Sequence, residues 1–294
     1  MSNSVGNHRA IGVFYLVVTA TGWALGWPAM KFLIREWPPL FARGLSCLAA
    51  AALLAMVARH MGESLAVPKH AVPRLIFASF TNVFAWMGFS TLTLKWLTVG
   101  EAVLLVFTMP IWATLLAWPL LGTRPSTRGV GALVLGLAGV GVLLGGKDFS
   151  IDGGKLPGVV FALGAAMFFA LGSILNRAPL PIARAASVMW QVGLAGPPML
   201  LLGLLFENPD LGGLTATGWA ALIYMTVVGM TLCYLTWFAT LRHLRPEMAS
   251  IGMLLVPLIG VISAATIFSE PLGWREAAAL CLTLSGVTLA LRHS

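Results

Sequence analysis

The sequence predicts an all-α membrane protein with ten transmembrane helices arranged as a 5+5 inverted repeat. Three observations predict it: an apolar composition, ten runs long enough to span a bilayer, and a self-similarity at half the chain length. Of the 294 residues, 59% are hydrophobic and 10% charged, where soluble domains carry about 25% charged residues; the mean hydropathy is +0.90. That deficit of charge excludes a soluble globular domain, a disordered chain and a nucleic-acid binder. The net charge of +8 comes from Lys and Arg placed singly between apolar runs, with no basic face. That is the pattern of a polytopic membrane protein.

A helix needs about 20 apolar residues to cross the hydrocarbon core. Polar punctuation divides the chain into such runs at 10–30, 39–58, 75–94, 98–121, 129–146, 156–176, 186–206, 217–241, 247–268 and 273–291. They are continuous and rich in Leu, Ala and Gly, not alternating as in a membrane β-barrel. Run one follows the polar stretch Met1 to Ala10 and has no small-residue cleavage site, so it reads as a retained helix and not a signal peptide. Run two opens on Pro39-Leu40-Phe41-Ala42-Arg43. The connector 59–74 is the longest, which leaves no room for a soluble domain. Run four opens with Glu101. The Gly-rich run five holds one small-xxx-small pair, Gly141 and Gly145, suited to close packing on helix 10 of the same chain or on a second copy. Cys47, Cys233 and Cys281 fall inside apolar runs and read as small buried hydrophobes. The face carrying both termini bears eleven basic residues against seven on the other, so both termini are expected in the cytoplasm.

The chain resembles itself at an offset of 147. Pro110 maps to Pro257, Arg128 to Arg275, Gly139-Val140 to Gly286-Val287, and, one residue off, Ala24-Leu25-Gly26 to Ala170-Leu171-Gly172. The boundaries are therefore 1–147 and 148–294. Each unit holds five helices; five is odd, so the second copy starts on the opposite face and the halves are inverted, an architecture suited to alternating access.

No catalytic constellation is readable. His8, His60, His70, His243 and His293 fall in loops or tails, and no span carries Asp, His or Lys near its middle. No Gly-rich loop ends in Gly-Lys-Ser/Thr; Gly145-Gly146-Lys147 lacks both the spacing and the hydroxyl. No metal or other cofactor is implied. A membrane-embedded lipid-modifying enzyme would have only His60 and His243 to work with. A channel or scaffold is a further alternative.

The charged residues near span ends have bland and functional readings. Glu101, close to Lys95, is a helix N-terminal acid or a coupling or gating group. Arg43 snorkels to the interface or pairs with an acid on its side. Glu270 and Arg275 form a local ion pair at a turn.

Polar and aromatic residues at mid-span form stripes. Helix 1 carries Thr19, Trp23 and Trp27; helix 3 carries Ser79, Asn82, Trp86 and Ser90 at spacings of three, four and four; helix 4 carries Glu101, Thr108 and Trp112. Helix 6 carries Phe169, Ser173 and Asn176, and helix 8 carries Thr226, Cys233 and Trp237 with Tyr234 beside them. Lipid-facing Asn is costly, so Asn82 is expected to face protein or a cavity. Such walls suit a planar ring, carried by a zwitterion or by a flat organic cation.

Each half ends on Pro, about ten apolar residues, a short polar turn and a Gly-Val-rich helix. These are Pro110-Ile111-Trp112 through Leu121-Gly122-Thr123-Arg124 to Gly139-Val140, and Pro257-Leu258-Ile259 through Phe268-Ser269-Glu270-Pro271 to Gly286-Val287. With Pro39 to Arg43, this resembles the EamA branch of the drug/metabolite transporter superfamily over nearly the whole chain; within it, the length and the Trp-rich first helix look most like the YddG-type aromatic amino acid exporters. One departure is Thr123, where the family's first half often carries the acid seen at Glu270. The resemblance implies ten helices, cytoplasmic termini, an inner-membrane location, a cavity lined by helices 1, 3, 4, 6, 8 and 9, and export of small metabolites. The implied partners are a small-molecule substrate and the bilayer, with no nucleic acid.

Overall fold

The computed structural model describes residues 2–122, 127–144, 154–176, 178–210, 213–244, 248–249, 252–270 and 272–291. Of the positions singled out above, Thr123, Arg124, Gly145, Gly146, Lys147, Pro271 and His293 lie outside them. The described residues contain no strand, and seven of their helices are long and apolar enough to cross a membrane.

In chain order, α1 is Ser2–Leu33 and stops short of Pro38. Helix α2, Pro39–His60, starts on proline, whose missing N–H costs nothing at a first position. Helix α3 is Lys69–Thr93. Helix α4, Val99–Leu121, breaks at Phe107 and Thr108, because Pro110 has no N–H for the preceding turn and its ring crowds it. Then follow α5 (Thr127–Leu144), α6 (Leu156–Leu175), α7 (Arg184–Phe206) and α8 (Ala216–His243). Helix α9 is Leu255–Phe268, shorter than its apolar run: a turn at Met253 and Leu254 precedes Pro257, as the break in α4 precedes Pro110. Helix α10 is Trp274–Leu291.

Backbone irregularities recur between the halves. The described non-Gly and Gly residues with left-handed φ are Gly62, Gly122, Asn208 and Ser269. Gly62 and Asn208 follow α2 and α7 and stand 146 residues apart; Gly122 and Ser269 follow α4 and α9 and stand 147 apart. A left-handed residue is a common helix stop. Helices α3 and α8 each contain a nine-residue π-helical segment, Phe80–Gly88 and Tyr224–Leu232, at an offset of 144. Such segments are rare and cluster at functional sites.

The chain forms two compact units. One comprises Met1–Ile76 and Leu180–Ile259, the other Phe77–Pro179 and Gly260–Ser294, so each draws on both halves of the sequence.

In the first unit, α2 packs along α7 and α1 along α8. Helices α2 and α7 meet with almost no side chain between them: a Cβ on Gly44 would lie 2.5 Å from the Leu200 nitrogen, and one on Gly203 would lie 2.5 Å from the Phe41 nitrogen. Their ends are tied reciprocally. Glu207 Oε2 accepts from the Leu40 and Phe41 N–H groups at 3.0 and 3.1 Å, and Glu63 Oε2 accepts from Ala186 N–H at 3.1 Å. Glu36 does the same for α8, accepting from the Thr215 N–H (2.9 Å) and hydroxyl (2.6 Å). Each carboxylate meets N–H groups that a helix start otherwise leaves unmatched.

In the second unit, α6 packs on α3 and α4, and α5 on α10. Gly139 of α5 lies against Thr283 and the Ala279 carbonyl of α10, so this glycine serves a contact within the chain. Helix α4 is capped twice. Thr98 and Glu101 form a capping box, and Glu270 accepts from Val99 N–H (2.8 Å) and Gly100 N–H (3.0 Å). The local pair expected between Glu270 and Arg275 is therefore replaced. The carboxylate prefers two aligned amides at a positive helix end, and Arg275 sits over the Trp274 ring at 5.7 Å. Cys281 is exposed on α10, unlike buried Cys47 and Cys233.

Candidate functional site

Of the predicted residues, Trp23, Tyr234 and Trp237 meet in the first unit, and Trp86 and Phe169 meet in the second. In the first unit, Trp23 of α1 is the centre. Its indole N–H donates to the Gly229 carbonyl at 2.8 Å, inside the π-segment of α8. Its ring meets Tyr234 edge-on at 5.4 Å and Trp237 at 6.1 Å. Four residues earlier on α1, buried Thr19 shares a 2.7 Å hydrogen bond with Thr236. Tyr224 donates its hydroxyl proton to the Gly22 carbonyl at 2.9 Å. Thr226 is buried and its Oγ1 has no partner. Trp27 is half-buried on α1.

Arg43 belongs to this unit. It is 8% exposed, so it does not snorkel. It lies in α2 one turn before Cys47, within electrostatic range of Tyr234.

In the second unit, Trp86 of α3 is the centre. Its ring lies 4.8 Å from Phe169 of α6 and 6.3 Å from Phe107 of α4. Asn82, one turn earlier, and its neighbour Thr81 occupy the space left by the missing side chain of Gly172; a Cβ there would collide with both. Ser79 and Ser90 are buried, and Ser90 Oγ has no partner. Trp112 donates its indole N–H to Thr108 Oγ1 at 3.2 Å, and the Thr108 hydroxyl in turn donates to the Leu105 carbonyl at 2.6 Å. Ser173 is exposed, and its hydroxyl bonds back to the Phe169 carbonyl at 2.8 Å.

Glu101 is tied down. Beyond the capping box, its Oε1 accepts from Lys155 Nζ at 2.6 Å. Its partner is thus Lys155, 54 residues on, not Lys95, which lies over the Trp96 ring. Further α3–α6 contacts pair Phe80 and Phe89 with Phe168 and Phe89 with Phe161, and Thr93 Oγ1 donates to the Gly158 carbonyl at 3.3 Å; Trp96, just beyond α3, stacks on Phe161.

In the expected repeat, α1 corresponds to α6 and α3 to α8. Trp23 and Phe169 are 146 apart, as are Gly26 and Gly172. Gly172 faces Thr81, and Gly26 faces Met225, 144 residues after Thr81. The α3–α8 register is therefore 144, and Trp86 matches Met230 instead of Cys233.

The model of the EamA-like transporter family matches residues 10–145 and again residues 156–292. The chain belongs to the EamA-like transporter family. This EamA-like chain is 26% identical to the "Uncharacterized transporter YvbV" of Bacillus subtilis (strain 168) over 270 residues, 91% of this chain and 87% of that protein. It is 26% identical over 288 residues to the "Probable amino-acid metabolite efflux pump" of Salmonella typhimurium (strain LT2), covering 93% of this chain and 92% of that one. The "Uncharacterized inner membrane transporter YedA" of Escherichia coli (strain K12) is 25% identical over 272 residues, covering 90% and 86%. A solved crystal structure with 20% identity superposes with a TM-score of 0.66, over 97% of this chain and 96% of that one, and shows the shared fold. The EamA-like protein is thus a membrane-embedded, multi-pass transporter.

His243 Nδ1 is bonded to the Ala239 carbonyl (2.8 Å) beside the Tyr15 ring, and His60 is exposed at the end of α2. Among the described residues, no group of three His, Cys, Asp or Glu could hold a metal.

Sequence reasoning missed several partners: Phe107, Thr236, Lys155 and the Gly229 carbonyl. Phe107 lies one residue off its helix stripe and reaches Trp86 only because α4 breaks before Pro110. The Gly229 carbonyl belongs to a π-segment, which no apolar periodicity announces.

Proposed function

We propose that this protein is a secondary, non-ATP transporter that exports small metabolites, aromatic amino acids foremost, by alternating access through a central cavity. Its candidate substrate contacts are Thr19, Trp23, Trp27, Ser79, Asn82, Trp86, Ser90, Thr108, Trp112, Phe169, Ser173, Thr226, Tyr234 and Trp237. Glu101 is the coupling or gating group. The chain spans the inner membrane ten times as two inverted five-helix halves, 1–147 and 148–294, with both termini in the cytoplasm.

The observation that carries this reading is the pair of aromatic clusters on repeat-related helices, Trp23 with Tyr234 and Trp237, and Trp86 with Phe169. Ring pairs of this kind are worth about 0.5–1.5 kcal/mol beyond burial, and a planar substrate side chain can exchange with them at little cost. The matched left-handed residues and π-segments support the two-half arrangement, as does the double family match. The relatives named amino-acid metabolite efflux pumps, in Salmonella typhimurium and Escherichia coli, support the substrate class.

The test is counterflow in proteoliposomes with labelled tryptophan or phenylalanine, run beside planar organic cations and other amino acids. Saturable, trans-stimulated uptake of the aromatic amino acids is expected. Saturable flux of the cations alone would replace the substrate, and linear flux would replace the carrier by a channel.

A further inference from the structure

Asn176 follows the last residue of α6, and it is the polar residue of this unit with the most to explain. Its Nδ2 and Oδ1 are both buried, and neither has a hydrogen-bond partner. Native structures leave few such atoms, and a buried amide idle at both ends is conspicuous. Its surroundings explain the geometry. The Asn176 N–H donates to the Gly172 carbonyl at 2.9 Å, so it stands one turn beyond Gly172. As the C-cap of α6 (φ −100°, ψ 24°), it lies one turn from Gly172 on the same face, next to the Gly172 position. That position is where Asn82 and Thr81 of α3 come closest, with Thr81 Oγ1 3.4 Å from Asn82 Oδ1.

Polar and aromatic parts then follow one another along the same two helices. Trp86 is one turn from Asn82, and Phe169 is two turns from Asn176, about 10 Å at 1.5 Å per residue. A primary amide presents a donor and an acceptor side by side. The complementary head presents an acceptor and a donor side by side. The carboxylate and ammonium of an α-amino acid do so; a flat organic cation has no acceptor for Nδ2.

We propose that Asn176, with Asn82 across the α3–α6 seam, is the polar end of a substrate subsite that reads the carboxylate and ammonium of a zwitterionic amino acid, whose planar side chain lies against Trp86 and Phe169. The inference rests on the transporter reading above and narrows its substrate class: Nδ2 donates to the carboxylate, Oδ1 accepts from the ammonium, and cations without a carboxylate are discriminated against.

The experiment is inhibition of labelled tryptophan counterflow in proteoliposomes by tryptophan, tryptamine, indole-3-acetate and indole, with wild-type protein and Asn176→Leu, beside thermal stability in detergent. In the wild type, tryptophan should inhibit at least tenfold better than the three analogues that lack one or both charges. Asn176→Leu should raise half-saturation for tryptophan at least tenfold, leave indole inhibition unchanged, and not lower the melting temperature, since it removes two unpaired groups and creates none. Equal inhibition by tryptophan, tryptamine and indole-3-acetate in the wild type overturns the proposal without any variant. So does Asn176→Leu with normal half-saturation, or with a lowered melting temperature and intact discrimination, which would make the amide a water-bridged structural group. Labelled leucine and serine separate the two ideas: if they are carried with the same dependence on Asn176 while tryptophan is not, the aromatic reading fails and the head-group site stands.

Discussion

Removing the Glu207 carboxylate should loosen the α2–α7 pair by a measurable amount. Two N–H groups at the start of α2, those of Leu40 and Phe41, donate to one oxygen of Glu207. A hydrogen bond to a charged group contributes about 1.5–3 kcal/mol, and loss of a helix cap costs about 0.5–2 kcal/mol. The two bonds share one acceptor and are not additive, so Glu207→Ala should cost about 2–4 kcal/mol. At about 2–4 °C per kcal/mol for a chain of this size, the melting temperature in detergent should fall by roughly 5–15 °C. Glu207→Gln keeps an acceptor and loses the charge, so it should fall by about half as much. Glu276 is the control: its carboxylate bonds only the Gly273 N–H of its own exposed turn, at 2.9 Å, and Glu276→Ala should stay within about 0.5 kcal/mol. If Glu207→Ala and Glu276→Ala melt within 2 °C of each other (about 1 kcal/mol), the long-range cap is not what holds the start of α2.

Three further outcomes follow from the same geometry. Gly203→Ala, whose Cβ would meet the Phe41 backbone at 2.5 Å, should lower stability by about 1–3 kcal/mol, whereas Gly141→Ala, with nothing within 4 Å, should be neutral or better in the same melting assay. A double-mutant cycle on Lys155→Ala and Glu101→Gln should return a coupling of about 1 kcal/mol or less, because Lys155 is 38% exposed; if Glu101 couples transport, Glu101→Gln should keep counterflow and lose gradient-driven uptake, while Lys155→Ala keeps both. Trp86→Ala should raise half-saturation for tryptophan about threefold to tenfold through the lost ring contact, with folding checked by size-exclusion chromatography.

The sequence made the helices legible because lipid enforces them: a run of apolar residues near 20 has few alternatives. Most expected spans agree with the described helices to within a few residues; runs four and nine are interrupted by turns at Phe107–Thr108 and Met253–Leu254, because hydropathy cannot see that a turn precedes Pro110 and Pro257. Of the candidate residues, the rings that the stripes single out do meet: Trp23 with Tyr234 and Trp237, and Trp86 with Phe169. The register between the halves was not legible. The 147-residue offset that fits α4 and α9 carries three residues too far in α3 and α8, where loop lengths differ between the halves. A 3.6-residue stripe is also wide: Ser173 lies at its exposed edge, with its hydroxyl bonded to the Phe169 carbonyl of its own helix.

The acids teach a more general lesson about such chains. Glu36, Glu63, Glu207 and Glu270 each stand within three residues after the end of a helix: α1, α2, α7 and α9. A carboxylate there is repelled by the negative end of its own helix. Each instead reaches a different helix at its positive end: α8, α7, α2 and α4 respectively. Packed antiparallel helices bring one helix's C-terminus beside its neighbour's N-terminus, and the α2–α7 pair shows the exchange in both directions. With only ten acidic residues in the chain, these four are placed where a short side chain can neutralise amides that lipid cannot solvate. An acid just beyond an apolar run is therefore a readable sign of which helix end lies next to it. The sign depends on three-dimensional pairing, which is why the pattern at Glu270 suggested a local bond to Arg275 when its partner was the start of α4.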